Sequence, residues 1–217
     1  YRALLHAPEF LRALKVSLQL AFLSATLSIG IAVPAALALA RHRFIGRDSI
    51  AAILLSPLMI PHVVLGVALL RFFSQAGLGG SFAGLAAAHI LVITPYALRL
   101  CLSAAGALDN SIERAAISLG ARPMLVFRRV TLPLIVPGVV SGWALAFIHS
   151  FDEVTMSSFL SSPSVTTLPV ALYHRIEDSI DPMVASISTV LILMAALLML
   201  LIDRVYGLSR VFTGHHQ

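Results

Sequence analysis

Residues 110–138 read NSIERAAISLGARPMLVFRRVTLPLIVPG, a polar stretch carrying Arg114, Arg122, Arg128 and Arg129 between two long apolar runs. Asn110 is expected to cap a helix, with Glu113 three residues on as a capping box requires. Ile112, Ala115, Ala116 and Leu119 follow the i, i+3, i+4, i+7 spacing of one helical face. Gly120 supplies a C-terminal stop, Pro123 opens a second, basic helix, and Leu132 and Pro133 lead back into apolar sequence. Helices this short are marginal alone in water, so the alanine-lined face needs something to dock on. That partner is either the chain's own bundle and the lipid headgroup layer or a groove in another protein, which small alanines suit well.

The flanking runs are those of an integral membrane protein. Of 217 residues, 59% are hydrophobic and 12% charged, against roughly half apolar and about a quarter charged in a soluble domain. Five runs approach or exceed the ~20 residues a spanning helix needs: 13–40, 50–73, 82–105, 132–150 and 183–202. The expected fold is all-α, a polytopic membrane helix bundle forming one domain over 1–217, with 109–131 as a helical insert within it. Pro34, Pro57, Pro61 and Pro95 fall inside spans, where neighbouring helices re-satisfy the backbone, so bent helices are expected.

Charge orients the bundle. Arg41, Arg43 and Arg47 in RHRFIGRD, the four arginines of the insert, and Arg204 and Arg210 in the tail all fall on one side of a five-span chain. The positive-inside rule makes that side cytoplasmic. The other side receives the uncharged SQAGLGGSFAG and an acidic segment with Asp152, Glu153, Glu177, Asp178 and Asp181; Arg2, Arg12 and Lys15 are the exceptions. The amino terminus is then outside, begins on Tyr1 and shows no signal peptide, so a sixth, amino-terminal span is expected upstream. The formal charge of +5 reports this sidedness and gives no reason to invoke nucleic acid. Lys15 is the chain's single lysine and has no glycine-rich context, so a Walker A loop is excluded and any ATP must be bound elsewhere. Cys101 is alone, which rules out an internal disulfide, and no metal site is built on His215 and His216.

The insert resembles the cytoplasmic signature of ABC importer permeases, the inner-membrane subunits of binding-protein-dependent transport systems. Ala115, Ala116, Gly120, Leu132 and Pro133 match that signature, with Val130 at the position usually Ile. The family's Glu falls on Arg114, with Glu113 one residue earlier, about 100° around the helix. The resemblance covers the whole chain. It implies that 109–131 are coupling helices held by a cytoplasmic ABC ATPase dimer, with Glu113, Arg114, Ala115, Ala116, Gly120, Leu132 and Pro133 at the contact. It implies further that ATP and Mg are bound by those ATPase subunits and that this chain holds no cofactor. A second permease subunit, homologous or identical, would complete the pathway, an extracytoplasmic solute-binding protein would dock outside, and the whole would sit in the bacterial inner membrane surrounded by lipid.

The outer segment 150–189 is similar to the spermidine/putrescine branch. The matching residues are Phe151, Asp152, Glu153, Ser157, Ser158, Phe159, Pro163, Thr167, Leu168, Pro169, Tyr173, Pro182, Ser188 and Thr189. Asp152 and Glu153 offer negative potential to a cationic solute, and Phe151, Phe159 and Tyr173 offer aromatic faces. Those carboxylates alternatively form a solvated helix end or a binding-protein contact. His62, His89 and His149 lie within spans, where ionisable groups face a bundle interior or cavity, either lining the pathway or bonding between helices; the candidate pathway set takes His62 and His149. Arg71 and Arg99 are expected to snorkel. The helix near 168–178, with Leu168, Leu172 and Ile176 on one side, is expected in the outer interface or tucked between spans. Other solutes of the branch (aminoethylphosphonate, iron, thiamine, opine-like compounds) stay open. Two other classes are disfavoured. An intramembrane hydrolase pairing His89 or His149 with a serine such as Ser141 lacks a G-x-S-x-G elbow or H-E-x-x-H, and a secondary transporter lacks inverted repeats.

Overall fold

The computed structural model describes residues 8–178 together with Thr189 and Leu193; the expected fifth span over 183–202, the tail arginines and Pro182 lie outside these residues. Everything regular is helical: α1 (Pro8–Arg41), α2 (Arg47–Leu55), α3 (His62–Gln75), α4 (Phe82–Gly106), α5 (Asn110–Ser118), α6 (Pro123–Val126), α7 (Leu132–Asp152), α8 (Thr155–Leu160) and α9 (Leu168–Asp178). Among the described residues the one β feature is an isolated bridge between Ser162 and Val165.

Three elements are long and apolar enough to cross a membrane: α1, α4, and α7 with the turns that precede it. They form the core because each presents a stripe of small residues. Ala21, Ala25, Ala32 and Ala36 of α1 are fully buried against Ile93, Ala97, Leu98 and Cys101 of α4 and Ala146 and Phe147 of α7. Without a hydrophobic driving force between helices in lipid, close backbone approach and van der Waals contact hold such a bundle. Gly138 and Gly142, one helical turn apart on α7, make that approach possible. A Cβ on Gly138 would lie 2.3 Å from the Ala104 methyl, and one on Gly142 3.2 Å from the Ala97 carbonyl oxygen. The opposite edge of α1, with Leu11, Phe22, Leu27 and Ile31, is exposed and apolar, as a lipid-facing surface is.

The run 50–73 is not one helix. It is α2, a short 3₁₀ turn over Ser56–Met59, and α3, with the two halves bent by 104°. Pro57 and Pro61 each remove a backbone donor at the break, and α3 turns to pack on α8, where the Phe159 ring occupies the space a Cβ on Gly66 would need. Among the described residues there are thus three spanning helices, or four if the bent pair is one span. Pro34, Pro95 and Pro137, by contrast, stay inside continuous helices.

Polar side chains inside the bundle bond to one another. His89 is fully buried on α4; its Nδ1 is 2.8 Å from the Ser150 hydroxyl of α7 and its Nε2 2.9 Å from the Ser157 hydroxyl of α8. Of the two roles open to it from sequence, His89 takes the inter-helix one. α9 is pinned where the Leu168 amide donates to the Ser17 hydroxyl at 2.7 Å, with Leu168 and Leu172 packed on Phe10 and Ala13 of α1; Ile176 is exposed.

Candidate functional site

Two groups of residues, at opposite ends of α7, carry the functional chemistry. The first is the insert. α5 starts one residue earlier than its sequence cap suggests: Asp109, not Asn110, is the N-cap, its carboxylate accepting from the Ser111 amide at 2.8 Å. Hydrogen bonding from the Ser111 hydroxyl, and then from its amide, holds the Asp109 carboxyl below its ordinary value. Glu113 therefore does not complete a capping box. Instead its Oε1 makes an ion pair with Arg41 at 2.7 Å and accepts a hydrogen bond from the Thr131 hydroxyl.

The stop at Gly120 is formed as the sequence suggests. Gly120 has φ +87°, its amide donates to the Ile117 carbonyl, and the Ala121 amide reaches back to the Ala116 carbonyl. This is the paired bonding of a Schellman cap, for which glycine is the favoured residue. No atom lies within 4 Å of a Cβ built there, so conformation and not space demands the glycine.

α6 follows, then a π turn over Phe127–Thr131 that runs directly into α7. Pro133 at the head of α7 lacks a donor and its ring would crowd the carbonyl of Arg129 in a regular α-helix; the wider turn accommodates it. The insert leaves large apolar side chains uncovered: Ile112 is 48% exposed, Leu119 89% and Met124 68%. Arg114, Ala115, Leu132 and Pro133 are also exposed, while Ala116 is half-buried. The face that needed a docking partner is open to solvent.

The second group sits at the other end of α7, where a buried carboxylate meets exposed and half-buried polar side chains. Ser150 is bonded to His89, which lies seven residues inside the start of α4, roughly 10 Å by helical rise. Glu153 is 9% exposed; its Oε1 accepts from the Met156 amide at 2.7 Å, closing the first turn of α8, and its Oε2 lies 2.8 Å from Nδ1 of His62. Asp152 is exposed. His149 stacks on Tyr96 of α4 with ring centroids 4.0 Å apart, within electrostatic reach of Asp152, Glu153 and His62. Four of the residues singled out in the sequence, His62, His149, Asp152 and Glu153, thus share one corner.

The other three aromatic candidates stand apart from it in different ways. Phe151 stacks on Phe147, which stacks on Trp143, a ladder along one face of α7. Phe159 fills the α3–α8 contact at Gly66. Tyr173 is on the exposed side of α9, where its hydrogen bond to Glu177 raises the phenol above its ordinary value. Tyr96 and Arg41 are the residues that sequence reasoning passed over: Tyr96 had no motif around it, and Arg41 was read only as a marker of sidedness. The pairing with Ser141 does not form, although His89 bonds two other serines. Ser141 donates its hydroxyl to the Pro137 carbonyl one turn back, and the partners of His89 are Ser150 and Ser157.

A bundle of spans with an exposed amphipathic insert between two of them and a polar corner at the far end of α7 is an architecture suited to a solute permease. The chain belongs to the binding-protein-dependent transport system inner membrane component family, whose model matches residues 28–210; it is a permease subunit of an ABC importer, in the inner membrane. The spermidine/putrescine transport system permease protein PotC of Haemophilus influenzae is 33% identical over 201 residues, 93% of this chain and 78% of its own length. The molybdenum transport system permease protein ModB of Mycobacterium bovis is 39% identical over 214 residues, 91% of this chain and 80% of its own. Among solved structures, the inward-facing MetNI methionine ABC transporter matches at a TM-score of 0.75 and 20% identity, over 91% of this chain and 94% of that one; at that identity the likeness speaks to the fold.

Proposed function

We propose that this permease imports a small cationic solute of the polyamine class, spermidine or putrescine, driven by ATP hydrolysed in separate subunits. The observation that carries the solute reading is the corner at the end of α7. Asp152 is exposed within electrostatic reach of His149, which stacks on Tyr96, an anion near aromatic rings, which is what an alkylammonium group requires. The names of the PotC relatives support the same class. In this reading Glu153, engaged by His62 and the Met156 amide, holds the corner in shape while Asp152 meets the solute.

The rest of the assembly follows from the insert. A cytoplasmic ATPase dimer holds α5 and α6 by the exposed Ile112, Leu119 and Met124, with Arg114 at the rim and Gly120 setting the turn. ATP and Mg belong to those subunits, and this chain performs no covalent chemistry. A second permease copy or homologue supplies the other half of the passage, and a binding protein delivers solute on the outer side. ATP binding draws the two inserts together and reopens the passage outward.

The test is ATP turnover of the complete complex in proteoliposomes, with binding protein, across spermidine, putrescine, thiamine, aminoethylphosphonate, ferric iron and molybdate. Stimulation by a polyamine, weakened about tenfold in Asp152→Asn, is the expected result, since a hydrogen bond to a charged group contributes about 1.5–3 kcal/mol. Stimulation by molybdate alone would discard the cation and favour the solute named for the ModB relative. Stimulation by a polyamine that is indifferent to Asp152→Asn would discard this corner as its site.

A further inference from the structure

The polar attachment of the insert to the spans is concentrated on a single oxygen atom. α5 packs chiefly on α6 and the π turn, it has no buried hydrophobic residue of its own, and its cap at Asp109 is local. Among the described residues, the polar side-chain links from α5 to the membrane helices are two, and both end on Oε1 of Glu113: the Arg41 guanidinium at the cytoplasmic end of α1 and the Thr131 hydroxyl at the junction of the π turn with α7. Thr131 is itself buried, and the α1 end is fixed in turn by Arg47, whose Nε donates to the Leu39 carbonyl at 2.8 Å.

We propose that Glu113 is the positioning residue that divides movement of the insert between two spans, pulling α1 through Arg41 and α7 through Thr131. This rests on the coupling role given to the insert above and adds the route by which the movement enters the membrane. The geometry favours this assignment over one of Glu113 to the ATPase surface. Its side chain is 19% exposed and turned toward its own bundle, whereas Arg114, one residue on, is exposed. A carboxylate suits this role, because its charge holds the Arg41 guanidinium in an ion pair and strengthens the hydrogen bond it accepts from Thr131. The π turn beside Thr131 is the compliant element. A π turn makes wider, i→i+5 bonds and is frequent at functional sites, so α7 can follow the insert without the insert unwinding.

The experiment uses the complete complex, with Cys101→Ser as background and spin labels at His42 and Arg129, both exposed, to read the α1–α7 distance without and with ATP and vanadate. Co-purification of the ATPase is measured on every variant. Expected are an ATP-driven distance change in the background protein and its loss in Glu113→Gln and Thr131→Val with the ATPase still bound. Thr131→Ser and the charge exchange Arg41→Glu with Glu113→Arg should restore it, and solute-stimulated turnover should fall about fivefold or more in the single variants. An unaltered distance change in Glu113→Gln and Thr131→Val overturns the proposal. So does a loss that neither Thr131→Ser nor the charge exchange restores, since that is the behaviour of a merely structural residue. Failure of the background protein itself to hold the ATPase would instead sink the coupling role on which the proposal rests.

Discussion

Asp109 and Gly120 bracket α5, and each acts through backbone chemistry that a single substitution can switch. Asp109 accepts from the Ser111 amide, and its carboxyl is held below its ordinary value of 3.8. A carboxyl with a depressed folded value contributes stability that is fully present above the unfolded value and is lost as pH falls through the folded one. Fraying of α5 on acidification should therefore set in below pH 3.8, seen as loss of exchange protection at the Ser111 amide. Asp109→Asn, an equally good cap without a charge, should show no such step; a step that persists in that variant would remove Asp109 as its cause. The sequence pointed to this cap one residue too late, because Asp109 and Asn110 are both good cap residues and only the turn itself decides between them. It singled out Glu113 for the right helix and the wrong partner: spacing links Glu113 to Asn110, whereas Arg41, 72 positions earlier, is brought to it only by the fold.

At the scale of the elements, the α4–α7 crossing is set by Gly138 and Gly142 of α7. With a Cβ on Gly138 placed 2.3 Å from the Ala104 methyl, Gly138→Ala forces the helices apart. Overpacking of this kind costs about 1–3 kcal/mol, and Ala104→Gly in the same molecule should recover most of it. Thermal unfolding in detergent of the two single variants and the double variant checks this, and a double variant no more stable than Gly138→Ala would show that the clash lies elsewhere. Helices with strong punctuation were legible from sequence. The expected 82–105 is α4 because Ser81 caps its start, its hydroxyl accepting from the Gly84 amide, and the expected helix at 168–178 is α9. The 50–73 run was not, because hydropathy sees composition while the 104° bend depends on where α3 finds room to pack, over Met156 and Phe159 of α8. The corner at His62 and Glu153 was legible only as separate residues; that the pair meets at 2.8 Å follows from the same bend.

For the whole molecule, the long α7 separates the insert from the polar corner by 21 residues, about 30 Å at helical rise. One rigid element thus joins the place where force is expected to enter to the place where solute is expected to pass. The Phe151–Phe147–Trp143 ladder and the His89 bridge to Ser150 and Ser157 stiffen its outer half, while Pro133, Pro137 and the π turn leave its cytoplasmic end compliant. The exposed Ile112, Leu119 and Met124 fit the proposed seating of an ATPase on the insert, since exposed apolar patches mark interaction surfaces. Seating depends on the turn at Gly120, whose φ of +87° a β-branched residue adopts only at a cost of order 1–3 kcal/mol. The most direct test is therefore ATP turnover, with solute-loaded binding protein, of complexes built with the wild-type permease, Gly120→Val and Gly120→Asn. The account predicts stimulated turnover in the wild type, its loss in Gly120→Val, and substantial retention in Gly120→Asn, since Asn tolerates the left-handed region. Full stimulated turnover in Gly120→Val would contradict it.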